Sequence, residues 1–533
     1  MRNTTPVSGL TAGRKPFLLI VCSLLIVSGC SWTQLVSVDN AKQQGNSISQ
    51  DSSVSADGRY IAFESVADNL VAGDTNGTRD VFVRDVVSRV TERVSVSSAG
   101  GEGSDSSEDA SISADGRFVA FSSESSDLVA NDTNGMSDIF VRDRQTGTTT
   151  RVSVDSVGDQ GNAASRRPEI SGDGNWVVFR SAANNLVPMD NNNRWDTFLH
   201  NRITGVTTRV SVDSLGAEGN SDSLLNDITS DGTLIAFSSF ATNLVSSDTN
   251  AASDVFVHNR VTGTTTRVSV DSSAMQANQS SSDPAISADG RYVVFHSMAT
   301  NLVAGDSNNL EDVFVHDLQT GATTRVNLDE NGNQSLVFPR HGTSSVSGDG
   351  RYIAFSTTED FASSDVNGVA DVYIRDQVAG RTFLGSLSAA GAQTNHGNGI
   401  SQNPYLSEDG RYVAFESGAT NLVPGDNNGE LDVFIRAVGD MSVTSVSPSL
   451  LAIGSTTSVT ITGTNFLPGT APWLPGLWVR NIVRVNETTL TADITVPNNL
   501  SPASFNVGVF LLGTGAGQLT GLMASCDDCL TIF

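Results

Sequence analysis

Lysine is almost absent: the 533 residues contain two, Lys15 and Lys42. Acidic residues outnumber Lys and Arg by 58 to 31, for a formal net charge of −27. Neutralising a phosphate backbone takes clustered cations, and so does seeking an anionic lipid surface. The opposite balance here excludes nucleic acid as a partner. With no lysine beyond position 42 a phosphate-binding Gly-rich loop of the P-loop kind is impossible. Four cysteines are too few for a disulfide-dense scaffold. Fourteen prolines against 49 glycines describe a chain of many turns, not a proline-rich disordered one. Helical periodicity is missing after the first thirty residues, and no apolar run is long enough to span a bilayer. Neither His-Glu-x-x-His nor Gly-x-Ser-x-Gly occurs. What is present, 38% hydrophobic residues with 23 Phe among them, suffices for a large core.

The N-terminus carries Arg2, Arg14 and Lys15 ahead of the apolar run Phe17 to Val27, the layout of a secretory signal. The run ends in Val27-Ser28-Gly29-Cys30. This resembles the bacterial lipobox, in which small residues precede a cysteine that becomes the lipidated first residue of the mature protein. The resemblance implies a signal peptide over 1–29, lipidation at Cys30 and a membrane reached through a lipid anchor. Ser31 in place of Asp implies sorting to the outer membrane. An ordinary signal peptide with a chance cysteine is the alternative. Loss of the signal removes Arg2, Arg14 and Lys15, making the mature chain more negative still.

From there to about residue 440 the chain is a repeat. Asp-Gly recurs at Asp57, Asp115, Asp173, Asp231, Asp289, Asp349 and Asp409, at spacings of 58 and then 60 residues. An apolar segment follows each, such as Tyr60-Ile61-Ala62-Phe63. A second begins at Asp80 and its counterparts, and a third follows a Thr-Gly turn, as in Thr149-Thr150-Arg151-Val152. A short segment before each Asp-Gly, such as Pro284-Ala285-Ile286-Ser287, supplies a fourth. Short Val-, Phe- and Thr-rich segments bounded by Asp-Gly and Thr-Gly read as strands and hairpins. Four strands repeated seven times predict an all-β, seven-bladed β-propeller over 30–440. The Ser-x-Asp-Gly-Arg-Tyr motif resembles the WD-like propeller repeat of the TolB type.

Ring closure follows from the register. Thr33-Gln34-Leu35-Val36-Ser37-Val38-Asp39 copies Thr149 to Asp155, whereas the last repeat has no such strand after Arg436. The N-terminal segment is therefore expected to complete blade seven against Asp432–Arg436, hiding an edge. From 441 to 533, alternating strands such as Val459-Thr460-Ile461-Thr462 predict a β-sandwich. Its Ser-Pro, Ile-Thr-Gly-x-Asn-Phe and Val-Pro pattern resembles the immunoglobulin-like IPT/TIG domain, which implies partner binding or a spacer.

Few residues suggest chemistry. Each repeat carries Asp-x-Asn-x-x-x-Asp: Asp74, Asn76 and Asp80, then Asp132, Asn134 and Asp138, and so on to Asp426 and Asp432. Oxygen donors at that spacing suit calcium; the alternative is an Asx-turn. His200, His258 and His316 stand 58 apart where other repeats have Arg, which points to a structural position unless three blades converge on a metal. Cys526 and Cys529 form a Cys-x-x-Cys, expected as a local disulfide. Blades five and six deviate most, at 331–343 and 381–398, without a recognisable nucleophile and base, so no catalytic residue is assigned. The expected function is a lipid-anchored envelope scaffold binding protein or glycan. A propeller enzyme of the polysaccharide lyase or peptidase type and a calcium-dependent surface adhesin are the alternatives.

Overall fold

The computed structural model describes residues 33–533 except 330, 335, 337–342, 363–364, 389–391, 396–398, 439–441, 465, 467–469, 487 and 512–523. The apolar run and Cys30 thus lie outside the described residues, as do parts of 331–343 and 381–398.

Seven four-stranded antiparallel sheets succeed one another along the chain. In blade one the strands run from the inside out as Ser49–Val54, Tyr60–Ser65, Asp80–Asp85 and Val90–Arg93. Ser, Thr and β-branched or aromatic residues dominate them, the types that suit a pleated surface packed on both faces. The two middle strands are nearly all buried because each sheet has a neighbouring blade on either side. Phe63 and Phe82 lie directly opposite each other, with ring centroids 5.7 Å apart. The pair recurs in every blade, Tyr373 replacing the second Phe in blade six. Such stacked pairs are worth about 0.5–1.5 kcal/mol each beyond the area they bury.

Between blades the core is continuous. Ala62, Val81 and Val83 of blade one pack with Val119, Phe121 and Phe140 of blade two. Blade seven packs on blade one in the same way, through Ala414, Val433 and Ile435 against Ile61 and Phe63. The Asp-Gly turns serve this contact. Asp57 Oδ1 accepts from Ser55 Oγ at 2.9 Å and Arg59 N at 3.0 Å, and Gly58 takes a φ of 73°. A Cβ on Gly58 would stand 2.1 Å from the ring of Tyr412, so glycine lets blade seven close onto blade one.

The N-terminal strand Thr33–Leu35 is the outer strand of blade seven, with Thr33 opposite Arg436, Gln34 opposite Ile435 and Leu35 opposite Phe434. That is the closure expected from the register. The strand is shorter than the segment Thr33 to Val38, although Val36 N still donates to Val433 O at 2.8 Å.

Two further four-stranded sheets form a β-sandwich. One joins Ser442–Ser447, Thr456–Thr464, Thr489–Thr495 and Trp478–Asn486; the other joins Leu450–Leu451, Ala524–Ile532, Ala503–Leu511 and Thr470–Trp473. Alternation along Thr489–Thr495 buries Leu490, Ala492 and Ile494, and Leu490 and Ile494 pack with Val507, Val509 and Leu530. Cys526 and Cys529 are disulfide-bonded. They bracket a register shift where Val507 faces Cys526 but Phe505 faces Leu530, so the bond spans a bulge within one strand.

Candidate functional site

The acidic turns are compact, and each is built around an amide. Asn76 Oδ1 accepts from Thr78 N at 3.0 Å while its Nδ2 donates to Asp80 Oδ2 at 3.1 Å. Asn134 does the same with Met136 N and Asp138. Asp74 and Asp80 converge, but the place a cation would take carries a guanidinium. Arg93 from the outer strand lies 3.3 Å from Asp74, 3.1 Å from Asp80 and 2.8 Å from Glu102. Arg151 stands at 3.5 Å and 3.6 Å from Asp132 and Asp138, and Arg209, Arg267 and Arg325 repeat the arrangement. Blades six and seven have Leu384 and Leu35 at the arginine's position. In blade seven the Gln44 amide donates to both Asp426 and Asp432, each at 2.7 Å. Burial lifts Asp74 and Asp432 each to about 6. Among the described residues no group of three or more His, Cys, Asp and Glu has an arrangement fit for a metal.

Removing one partner of a buried ion cluster leaves uncompensated charge. Arg93→Ala is therefore expected to cost about 3–5 kcal/mol in urea denaturation at pH 7. In that variant millimolar calcium should recover part of the loss by binding the freed carboxylates. In the wild type calcium should move the melting temperature no further than magnesium does. A calcium-specific rise in the wild type would show that the ion displaces or bypasses Arg93.

His200, His258 and His316 do not converge. Each ring Nδ1 lies 2.8–2.9 Å from a threonine Oγ1 on the outer strand of its own blade: Thr207, Thr265 and Thr323. Burial lowers all three, His200 to about 4, so they stay neutral at pH 7. Arg84 uses the same threonine position, donating to Thr91 Oγ1 at 2.8 Å and to Asp39 O of the preceding loop at 3.1 Å. The row ties blades together.

The repeat breaks at the inner end of the blades. Among the described residues six of the seven inner strands carry a bulge, as between Gln50 and Ser53, and in five of them a bulged residue has a positive φ: 46° at Asp51, 56° at Asp109, 55° at Arg167, 50° at Asp283 and 48° at Asn403. Non-glycine residues rarely adopt this conformation, and bulges serve to re-aim side chains. These residues line a channel of about 210 Å³ together with Glu169, Asp227, Ser344 and Tyr405.

Two further variable positions lie behind the bulges, the first of them bonded to bulged residues through Glu416, Glu64 and Ser122. The one between the Phe63 and Ser65 positions reads Glu64, Ser122, Arg180, Ser238, His296, Ser356 and Glu416 around the ring; the one before each Asp80 counterpart reads Arg79, Ser137, Trp195, Ser253, Glu311, Ala370 and Leu431. Alternate blades pair them. Glu64 contacts Arg79 at 3.0 Å, Arg180 lies over the Trp195 ring at 5.1 Å, and His296 Nδ1 is 3.9 Å from Glu311 Oε2.

The mouth is electrostatically divided. On blades seven and one, Glu416 Oε1 accepts from Asp51 N at 2.7 Å and Asn403 Nδ2 at 3.0 Å, while Glu64 takes Gln50 Nε2 at 2.9 Å and Asp109 N at 3.1 Å. Burial and then the Asp51 carboxylate push Glu416 up to about 7. The same two causes raise Glu64, and burial with Asp109 raises Asp51. Deeper in the channel, burial and mutual repulsion raise Glu169, and burial raises Asp227 beside it. Blade three supplies the opposite sign: Arg167 reaches Asp109 at 3.4 Å, Arg166 reaches Glu124 at 3.2 Å, and Arg180 keeps a buried Nε without a hydrogen-bond partner. Acids whose proton affinity burial raises thus gather on blades seven and one, and arginines with an indole on blade three. That arrangement can hold a ligand by charge-assisted hydrogen bonds and stacking.

None of the residues expected as metal ligands from the acidic turns lies at this mouth. Its side chains were hidden in the sequence by the attention that regularity attracts. The available signal was the reverse: in a column of seven Phe followed by a column of seven Ser or Thr, the position between them varies from Glu to Arg to His.

No family model matches the chain, and no curated protein matches its sequence. Among solved structures, an oligogalacturonate lyase from Vibrio parahaemolyticus is 13% identical with a TM-score of 0.45, covering 78% of this chain and 99% of its own. A TolB-like protein from Agrobacterium tumefaciens is 17% identical with a TM-score of 0.35, covering 56% and 89%. The WD40 repeats of RRP9 are 10% identical with a TM-score of 0.42, covering 76% and 97%. Likenesses of this size say nothing about what the chain binds or does; the propeller rests on its own seven sheets.

Proposed function

We propose that this propeller is an exported, lipid-anchored binding protein of the bacterial envelope that seats a protein or glycan ligand at the mouth of its channel. One observation carries the reading. The chain repeats its framework seven times, yet the bulged position that lines the channel and two positions beside it vary from blade to blade. A framework needs no such variation; recognition of one ligand does, because a unique ligand breaks sevenfold symmetry. The divided charge suits a ligand with both a cationic and an anionic or planar group. The sandwich, with its IPT/TIG-like motifs, acts in this reading as a spacer or second contact.

The test compares capture from labelled envelope peptide and glycan fractions by the mature wild type, Trp195→Ala and Arg180→Ala. Loss of the stacked pair is expected to weaken binding at least tenfold, about the effect of a desolvated cation–π or stacked contact. Ligand retained equally by both variants would place recognition elsewhere on the protein.

Anchoring is tested separately. Cys30→Ala removes the thiol that would accept the acyl chain. The variant is expected to lose metabolic palmitate label and to appear as unmodified precursor or in the soluble fraction. Equal fatty-acid labelling of variant and wild type would refute an anchor at this cysteine.

A further inference from the structure

On blade five the mouth contains a constellation that binding alone does not explain. His296 Nε2 lies 2.8 Å from Ser344 Oγ of blade six. On the other side of the ring, His296 Nδ1 lies 3.9 Å from Glu311 Oε2. His296 is the residue opposite Val313 on the adjoining strand, two positions past Glu311, so the sheet register itself sets acid beside base. Ser344 comes from the start of the next blade and lines the channel beside Thr343, Ser345 and Asp283. Both His296 and Ser344 are largely shielded from bulk water, at 3% and 6% exposure.

Position, order and chemistry match the three parts of an acyl-transfer relay: a hydroxyl facing a cavity, an imidazole within hydrogen-bond reach of it, and a carboxylate on the imidazole's far nitrogen. The Glu311 contact is longer than a hydrogen bond, as contacts of this kind often are before substrate binds. The other blades show that a histidine is not needed at this place for the fold. Serine fills it in blades two, four and six, and glutamate or arginine fills it in the rest.

We propose that Ser344, His296 and Glu311 form a serine-hydrolase site acting on short-chain carboxylic esters, a size that suits the channel of about 210 Å³. Ser344 Oγ attacks the ester carbonyl carbon as its proton passes to His296 Nε2. The C–O bond to the alcohol breaks, and the leaving alkoxide takes that proton. Water then attacks the acyl-serine, giving a proton to His296. The carboxylic acid departs, and Ser344 Oγ recovers the proton. Water is the only co-reactant, and no electrons are exchanged. Ser344 and His296 are catalytic residues in this scheme. Glu311 is a positioning residue that holds Nδ1–H and so presents Nε2 as the acceptor.

This inference stands apart from the ligand-capture reading, because its probes are small and need no natural ligand. The mature protein is treated with a fluorophosphonate and, separately, with p-nitrophenyl acetate. A fluorophosphonate adduct is expected on the peptide carrying Ser344. Ser344→Ala and His296→Gln are expected to lower ester turnover by about 10²-fold or more, the usual worth of a nucleophile or its base, with melting temperatures near that of the wild type. Glu311→Gln should lower kcat while leaving KM in place, and Glu311→Asp should recover part of kcat. If Ser344→Ala does not fold, Ser344→Cys serves instead: it should lose the fluorophosphonate adduct and gain one with iodoacetamide at position 344. An adduct at another residue, no adduct on folded protein, or wild-type turnover in Ser344→Ala or His296→Gln would each overturn the assignment and leave the His296–Ser344 bond as a tie between blades.

Discussion

Deleting residues 33–44 from the mature chain is expected to cost on the order of 5 kcal/mol or more, enough to unfold a propeller of ordinary stability near room temperature. Three ladder pairs and the Val36–Val433 bond disappear from blade seven. The larger penalty is electrostatic. Asp432 is fully buried and has no arginine; it depends on Ser37 Oγ, the Gln44 amide and Asn428. Two of those three donors leave with the segment, and Asp426 loses Gln44 as well. A buried carboxylate stripped of its donors costs about 1–3 kcal/mol or more. The deletion also bares Asp432–Ala437 as an unpaired edge, an invitation to aggregation. Chemical denaturation and light scattering check both effects. A synthetic peptide of residues 33–44 supplied in trans should restore the midpoint. A monomeric deletion variant with an unchanged midpoint would contradict the closure.

The second large effect concerns pH. Glu416 binds its proton at about 7 in the folded protein against an ordinary 4.5, and Glu64 and Asp51 are shifted the same way. For a carboxyl group raised on folding, the native state holds more protons than the unfolded one between the two values. Stability is therefore fully present below about pH 4.5 and declines as pH rises through about 7. For Glu416 alone the decline amounts to about 3 kcal/mol, at ~1.4 kcal/mol per pH unit. Asp143 and Asp317 act in the opposite sense. Hydrogen bonds from Arg117 and Arg291 hold both below the usual carboxylate range, and their contribution is lost only as the solution turns strongly acidic. Urea midpoints should accordingly peak in mildly acidic solution and fall toward pH 8. Glu416→Gln keeps an acceptor for Asp51 N and has no cation to orphan. It should flatten the profile and raise stability at pH 8 by about 1–3 kcal/mol. A variant whose profile parallels the wild type would show that Glu416 is already ionised and well solvated at neutral pH.

The two effects differ in how far they could be read in advance. Closure was legible because it is a matter of register. Thr33 to Asp39 copies the outer strand of other repeats, blade seven lacks that strand, and sevenfold geometry leaves one place for it. The acidic turns were legible only in half. Asp74, Asn76 and Asp80 sit within one turn, whereas Arg93 comes from a strand thirteen residues beyond Asp80, and Glu102 from the next loop. Local spacing showed the acids and not the guanidinium among them.

The amino-acid sequence by itself determined the all-β class, the seven blades, the closing strand and the sandwich. Each of these depends on periodicity and turn chemistry, which are properties of neighbours along the chain. Only the tertiary structure decided where charge is compensated and where the repeat-breaking residues meet. His296, Glu311 and Ser344 are fifteen to forty-eight positions apart, and Glu64 and Glu416 are 352 apart. Nothing in their spacing sets them in one place. Wrapping seven sheets around an axis brings equivalent positions of distant repeats to a common mouth, and burial there gives each acid and imidazole a neighbour that the linear chain does not.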